Sequence, residues 1–219
     1  MTTLSIKLFS IVLASGFVSA LLPGASRKRT VWPKITLATA AMLAVMFAVQ
    51  SVQPGVLPLF ARDSSLVERA QLWRAITALF FQDGGLAGFF FNLVILLLIG
   101  TVAERSLGWR RWLLTYLGGG IIAEFLALAW QPHGAGNSVA CFALAGALVN
   151  FYANRKPSVW QIAVRLAGAA AGIGLIVMKD VHGLAFGVGT VFGIFNTVRE
   201  SQRAANGPAS GTAHLVEQA

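Results

Sequence analysis

Apolar residues gather along the chain into seven runs, near 4–22, 35–53, 86–103, 112–130, 137–153, 160–178 and 181–198, parted by shorter polar stretches. Each run is close to the ~20 residues that a helix needs to cross a bilayer. The pattern predicts an all-α fold, a polytopic bundle of six or seven membrane helices. The first run, between "MTTLSIK" and "GFVSALLPGAS", reads as a retained helix, with a cleaved export signal as the alternative. A basic linker joins it to the rest, so residues 1–32 stand apart from a membrane domain at 33–199. The last stretch, "RESQRAANGPASGTAHLVEQA", is poor in large apolar residues and holds Gly, Pro and Ser, which predicts a disordered tail over 200–219.

Composition agrees with that division. The chain is 56% hydrophobic and 11% charged with a mean hydropathy of +0.71, more apolar material than the surface of one soluble domain carries. A formal charge of +9 would suit nucleic acid, but the seventeen Lys and Arg residues are scattered between the runs rather than gathered on one patch. They serve as topology signals instead. If every run crosses, Arg27, Lys28, Arg29, Lys34, Arg105, Arg110, Arg111, Arg155, Lys156, Arg165, Arg199 and Arg203 share one side. Lys7, Arg62, Arg69, Arg74 and Lys179 fall on the other. The richer side is cytoplasmic by the positive-inside rule, which puts the C-terminus inside. Cys141 is the sole cysteine, so no intrachain disulfide forms.

In that orientation the runs holding Asn92, Ser138 and His182 all start at the outer face. Ser138 and His182 lie about one residue inside their runs, and Asn92 about six, or ~9 Å at 1.5 Å per residue. Glu124, on an outward-going run, reaches a similar depth. A serine hydroxyl needs a base within hydrogen-bond reach and donors aimed at a developing oxyanion. Ser138 at the start of a helix has unsatisfied backbone N–H groups beside it, and Gly134 and Gly136 leave room for an approach. Ala185, Gly189 and Gly193 follow His182 along one helical face, a stripe of small residues that lets two membrane helices come close. Taken alone, these features fit ordinary helix packing better than catalysis. An ionisable residue within a span is a stronger signal, although His182, next to Lys179 and Asp180, also suits the interface. Glu124 reads as an arginine's partner or as a buried neutral acid that fixes packing.

Across roughly 70–195 the chain resembles the rhomboid family of intramembrane serine proteases. "WRAITALFF" (73–81) resembles the Trp-Arg opening of that family's first large loop, and "FFFNLVILLLIGTVAERSLGWRRWLLTYLGGG" (89–120) its second and third core helices. "GNSVACFALAGAL" is similar to the nucleophile segment Gly-x-Ser-Gly, and "DVHGLAFGVG" (180–189) to the final helix with its histidine base. The resemblance implies a six-helix core beginning near residue 33, with an additional helix in front. It implies Ser138 as nucleophile and His182 as general base, a dyad without a third acidic member, with Asn92 helping to hold the oxyanion. Phe142 would lie against the histidine, and the loop near 54–85, with Trp73 and Arg74, would brace the core in the outer leaflet.

Three positions depart from the pattern. Val139 stands where the motif has glycine, and its β-branched side chain adds bulk beside the nucleophile. Gly88 stands where many members carry a second oxyanion-binding histidine, a loss worth on the order of 10²-fold in rate. Ala185 replaces a glycine, a mild change.

The expected function is an intramembrane serine endopeptidase that cleaves transmembrane segments of other membrane proteins near the outer leaflet. Its partners would be those substrates and the lipid bilayer, with no nucleic acid, metal or cofactor, and its location the inner membrane of a bacterium. A catalytically impaired rhomboid-like pseudoprotease that binds membrane helices is the alternative. A small transporter fits less well, because no inverted repeat is evident and the polar residues gather near one face.

Overall fold

The computed structural model describes residues 2–22, 32–151 and 157–205. Arg27, Lys28, Arg29, Arg155 and Lys156, with the tail from 206 onward, lie outside the described residues. Seven long helices fill those described: α1 (Thr3–Leu21), α2 (Lys34–Val52), α3 (Gly85–Leu107), α4 (109–127), α5 (Ser138–Phe151), α6 (Val159–Val177) and α7 (Val181–Ala205). The first residues of the stretch expected as a tail, 200–205, are helical, since α7 runs through Ala205.

The inward face of α2 is mostly small or polar and its outward face mostly large and apolar. On α2 the buried residues are Thr36, Thr39, Ala40 and Leu43, while Val45 is 58% exposed. That inversion is what lipid as solvent selects, because hydrocarbon tails are as apolar as the side chains they meet. Five of the described helices are long and apolar enough to cross a membrane. The protein is an all-α, multi-pass membrane bundle.

α5 is the exception in length. At 14 residues it spans ~21 Å, well short of the ~30 Å hydrocarbon core. Almost all its side chains are buried, so the other helices rather than lipid solvate it. A short central helix that starts within the bundle sets its first residue, Ser138, back from that end of the longer helices.

Two devices set the helices around it. Gly108 adopts φ 81° and ψ 157°, a region essentially open to glycine alone, and turns α3 sharply into α4. Leu96–Gly100 and Leu114–Gly119 are wound as wider π-turns, and Trp112 Nε1 donates to the Gly100 carbonyl at 2.9 Å. At the opposite end of the bundle from Ser138, the Glu104 carboxylate accepts from the Ile35 and Thr36 amides and caps α2.

The resemblance sets an extra helix in front of the core, but α1 is packed into it, against α5 and α6. Its inward face reads Ser5, Phe9, Val12, Ser15, Gly16, Ser19 and Ala20. Between α2 and α3 the chain folds into short helical turns, Val56–Phe60, Ser64–Glu68 and Arg74–Thr77. Arg74 is buried there; its Nη1 donates to the Pro58 and Ala61 carbonyls at 2.8 and 2.9 Å. Arg74 therefore closes this loop, while Trp73 is half exposed.

Candidate active site

The approach to Ser138 is pinned residue by residue. Asp63 and Arg62 pair antiparallel with His133 and Gly134. The Ala135 amide donates to Asp83 Oδ2 at 2.9 Å, and the Gly136 amide donates to the Ala78 carbonyl at 2.9 Å. Asn137, fully buried, accepts from Gln82 Nε2 at 2.9 Å. Four successive residues bound to the 62–83 loop leave Ser138 little freedom at the start of α5.

His182 is positioned from the other side by a tight turn. Lys179 takes a left-handed conformation (φ 56°) that ends α6, and the Asp180 amide donates to the Leu175 carbonyl at 2.9 Å. Gln131 Oε1 and Asp180 Oδ1 then accept from the Val181 and His182 amides at 3.1 and 2.9 Å, satisfying donors at the start of α7. The imidazole packs against two rings: Phe142 at 4.7 Å between centroids, tilted 63°, and Phe9 of α1 at 4.4 Å, tilted 53°.

Side by side, α5 and α7 run with their backbones in contact. A Cβ added at Gly189 would meet the Ala143 carbonyl oxygen at 1.9 Å, and one at Gly146 would meet that of Phe186 at 2.1 Å. Any larger side chain at either position separates the helices. The separation matters because His182 Nε2 and Ser138 Oγ are 2.9 Å apart across this seam.

On its far side the imidazole meets an acid: His182 Nδ1 is 2.6 Å from Asp180 Oδ1. The sequence reading expected no such group. Burial raises the Asp180 carboxyl, but the hydrogen bonds and charge of His182 outweigh it and hold the pKa below the ordinary carboxylate value. An ionised carboxylate only accepts, so a neutral imidazole here would carry its proton on Nδ1 and leave Nε2 to accept from the Ser138 hydroxyl.

A cavity of about 450 Å³ opens over the pair, with Asn92, Gly136, Ser138, Val139 and His182 in its wall. Asn92 Nδ2 donates to Gln82 Oε1 at 2.7 Å, which fixes the plane of the amide. A Cβ at Gly136 would stand 3.3 Å from Asn92 Nδ2 and 3.4 Å from Ser138 Oγ, so this glycine keeps open the space between them. All three residues singled out from the sequence thus surround one space. At Gly88, an added Cβ meets nothing within 4 Å.

Glu124 also borders the cavity and is paired with Arg62; both are nearly inaccessible, at 1% and 3% exposure. The bond ties α4 to the loop between α2 and α3. Gln82, Arg62, Asp180 and Phe9 are the site's neighbours that sequence reading missed. Only Asp180 carried a local signal, as an acid at a helix start two residues before His182; the others lie 56 or more positions from Ser138 in the chain.

Residues 69–203 match the Rhomboid domain family. The chain is also similar to Rhomboid protease GluP of Bacillus subtilis (strain 168), with 36% identity over 98 residues. The aligned stretch is 44% of this chain and 19% of that relative, so about a fifth of the relative's length is spanned.

Proposed function

The chain belongs to the rhomboid family, and from that premise we propose that it is an intramembrane serine endopeptidase acting through Ser138 and His182. The observation that carries the reading is the 2.9 Å approach of Nε2 to Oγ at the floor of a polar cavity. His182 takes the Ser138 proton on Nε2 as Oγ bonds to the scissile carbonyl carbon. The oxyanion is held by Asn92 Nδ2 and by free N–H groups at the start of α5. The C–N bond then breaks, the proton passes from Nε2 to the departing amine, and an acyl-enzyme remains. Water, deprotonated by Nε2, attacks the ester and releases the acid and Ser138.

Substrates are transmembrane segments of other membrane proteins. A helical peptide bond is shielded by its own hydrogen bonds, so cleavage requires a locally unwound stretch that enters the cavity. The excess of Lys and Arg on the side opposite Ser138 supports a cytoplasmic C-terminus and cleavage near the outer leaflet, and the bacterial relative supports a bacterial inner membrane.

Fluorophosphonate labelling of the purified protein in detergent tests the reading. Labelling of Ser138, lost in Ser138→Ala, is expected; equal labelling of that variant removes it. A second reading, a pseudoprotease that captures membrane helices, is favoured by Val139 in the cavity wall and by the missing side chain at Gly88. It predicts no label on Ser138 and undiminished helix capture by the Ser138→Ala, His182→Ala double variant.

A further inference from the structure

We propose that Asp180 is a positioning residue for the reaction, fixing the His182 ring with Nε2 toward Ser138 and stabilising the imidazolium that forms when Ser138 gives up its proton. The inference rests on the protease reading and adds to it a third member that the family resemblance does not supply.

Geometry carries it. One carboxylate oxygen, Asp180 Oδ1, sits 2.6 Å from His182 Nδ1 and 2.9 Å from the His182 amide nitrogen. Ring and backbone are thereby held by the same atom, which fixes the imidazole's rotation about its side-chain bonds. Asp180 is itself held, since the turn from α6 to α7 is only three residues long and its amide is bound to Leu175. Phe9 and Phe142, in contact with each other, both pack against the ring. Acid, imidazole and hydroxyl thus lie in sequence, with the acid two residues before the base on the same turn.

The simpler account is a helix cap. An Asp at a helix start accepts from the amide two residues on whether or not a ring stands beside it. Asn caps as well as Asp, so Asp180→Asn keeps the cap and removes only the charge. A cap alone therefore predicts a variant indistinguishable from wild type in rate.

The two accounts separate in kinetics of cleavage of a transmembrane peptide in detergent, or of fluorophosphonate labelling. If Asp180 positions and stabilises the base, kcat of Asp180→Asn falls by at least ~10-fold with KM within about 2-fold, since the lost interaction exists mainly in the transition state. Other charged groups near His182 are Arg62 and Glu124, paired with each other, then Asp83, bound by the Ala135 amide, and His133, near Asp63. Lys179 precedes Asp180 in the turn. None of them is altered in this variant, so a lower kcat reports the 180–182 pair.

An unchanged kcat in Asp180→Asn overturns the inference and leaves the protease reading standing. Nitrogen NMR of ¹⁵N-histidine-labelled protein, with His182 assigned by His182→Gln, gives a readout that needs no activity. The Nδ1–H tautomer is expected in the wild type, shifting toward Nε2–H in Asp180→Ala. A wild type with its proton on Nε2 overturns the inference whatever the protein cleaves. A wild type that shows the Nδ1–H tautomer yet neither cleaves nor labels defeats the protease reading, and with it a catalytic role for Asp180.

Discussion

The ring of Phe9, in the first helix, lies 4.4 Å from the imidazole of His182, 173 positions later in the chain. Phe9 also meets Phe142 edge-on at 4.9 Å, so the three rings form one cluster behind the hydroxyl of Ser138. The first helix therefore belongs to the proposed site's support rather than to its periphery. Phe9→Ala leaves a void beside the base, at a cost of about 3 kcal/mol for a large-to-small change with incomplete collapse. Thermal melts in detergent are expected to drop, and the rate of labelling at Ser138 to fall, with Phe9→Leu intermediate in both. Unaltered labelling in Phe9→Ala would show that the ring does not support the histidine.

The seam between α5 and α7 tolerates no side chain. Gly189→Val forces the backbones apart at Ala143, and overpacking of this kind costs typically ~1–3 kcal/mol. Because His182 lies on the same helix two turns earlier, labelling should be lost even in protein that still elutes as a folded species. Gly187→Ala, which meets nothing within 4 Å, is the matched control and should behave as wild type.

Arg62 and Glu124 form a buried pair, so removing one partner leaves an uncompensated charge at a cost of ~3–5 kcal/mol. Arg62→Met and Glu124→Met should each lower the melting midpoint more than the double substitution does. A double variant whose loss equals the sum of the two singles would mean that the groups act independently.

Asp180 makes stability depend on acidity. Its folded pKa is lowered, so its contribution is complete above the unfolded value of ~3.9 and is lost as the pH falls through the lower folded value. Melting midpoints of wild type and Asp180→Asn should therefore converge as the pH falls below about 4. Curves that stay parallel well below that pH would exclude the linkage.

Gly88 has open space where a side chain would project. Gly88→His should fold and, if it reaches the oxyanion, raise the labelling rate by up to ~10²-fold, the worth of one such donor. No gain in a folded variant would place the limit elsewhere, with Val139→Gly the next substitution to assay.

The apolar runs were enough to predict a membrane bundle, because a bilayer imposes length and hydrophobicity on each span separately and leaves both visible in one dimension. Ser138, His182 and Asn92 could also be singled out, since a polar group in an apolar run is conspicuous and its depth follows from counting residues. Spacing showed the small-residue stripe of α7 as well, but not that Gly146 on α5 answers it. Which residues surround the histidine was decided only by the tertiary structure. Phe9 and Gln82 are ordinary in their own segments and gain their roles from neighbours far away in sequence. Asp180 is near His182 in sequence, yet an acid at that spacing reads equally as a cap. Its contact with the ring depends on the side-chain rotation of the imidazole among Ser138, Phe142 and Phe9, and no one-dimensional pattern records that angle.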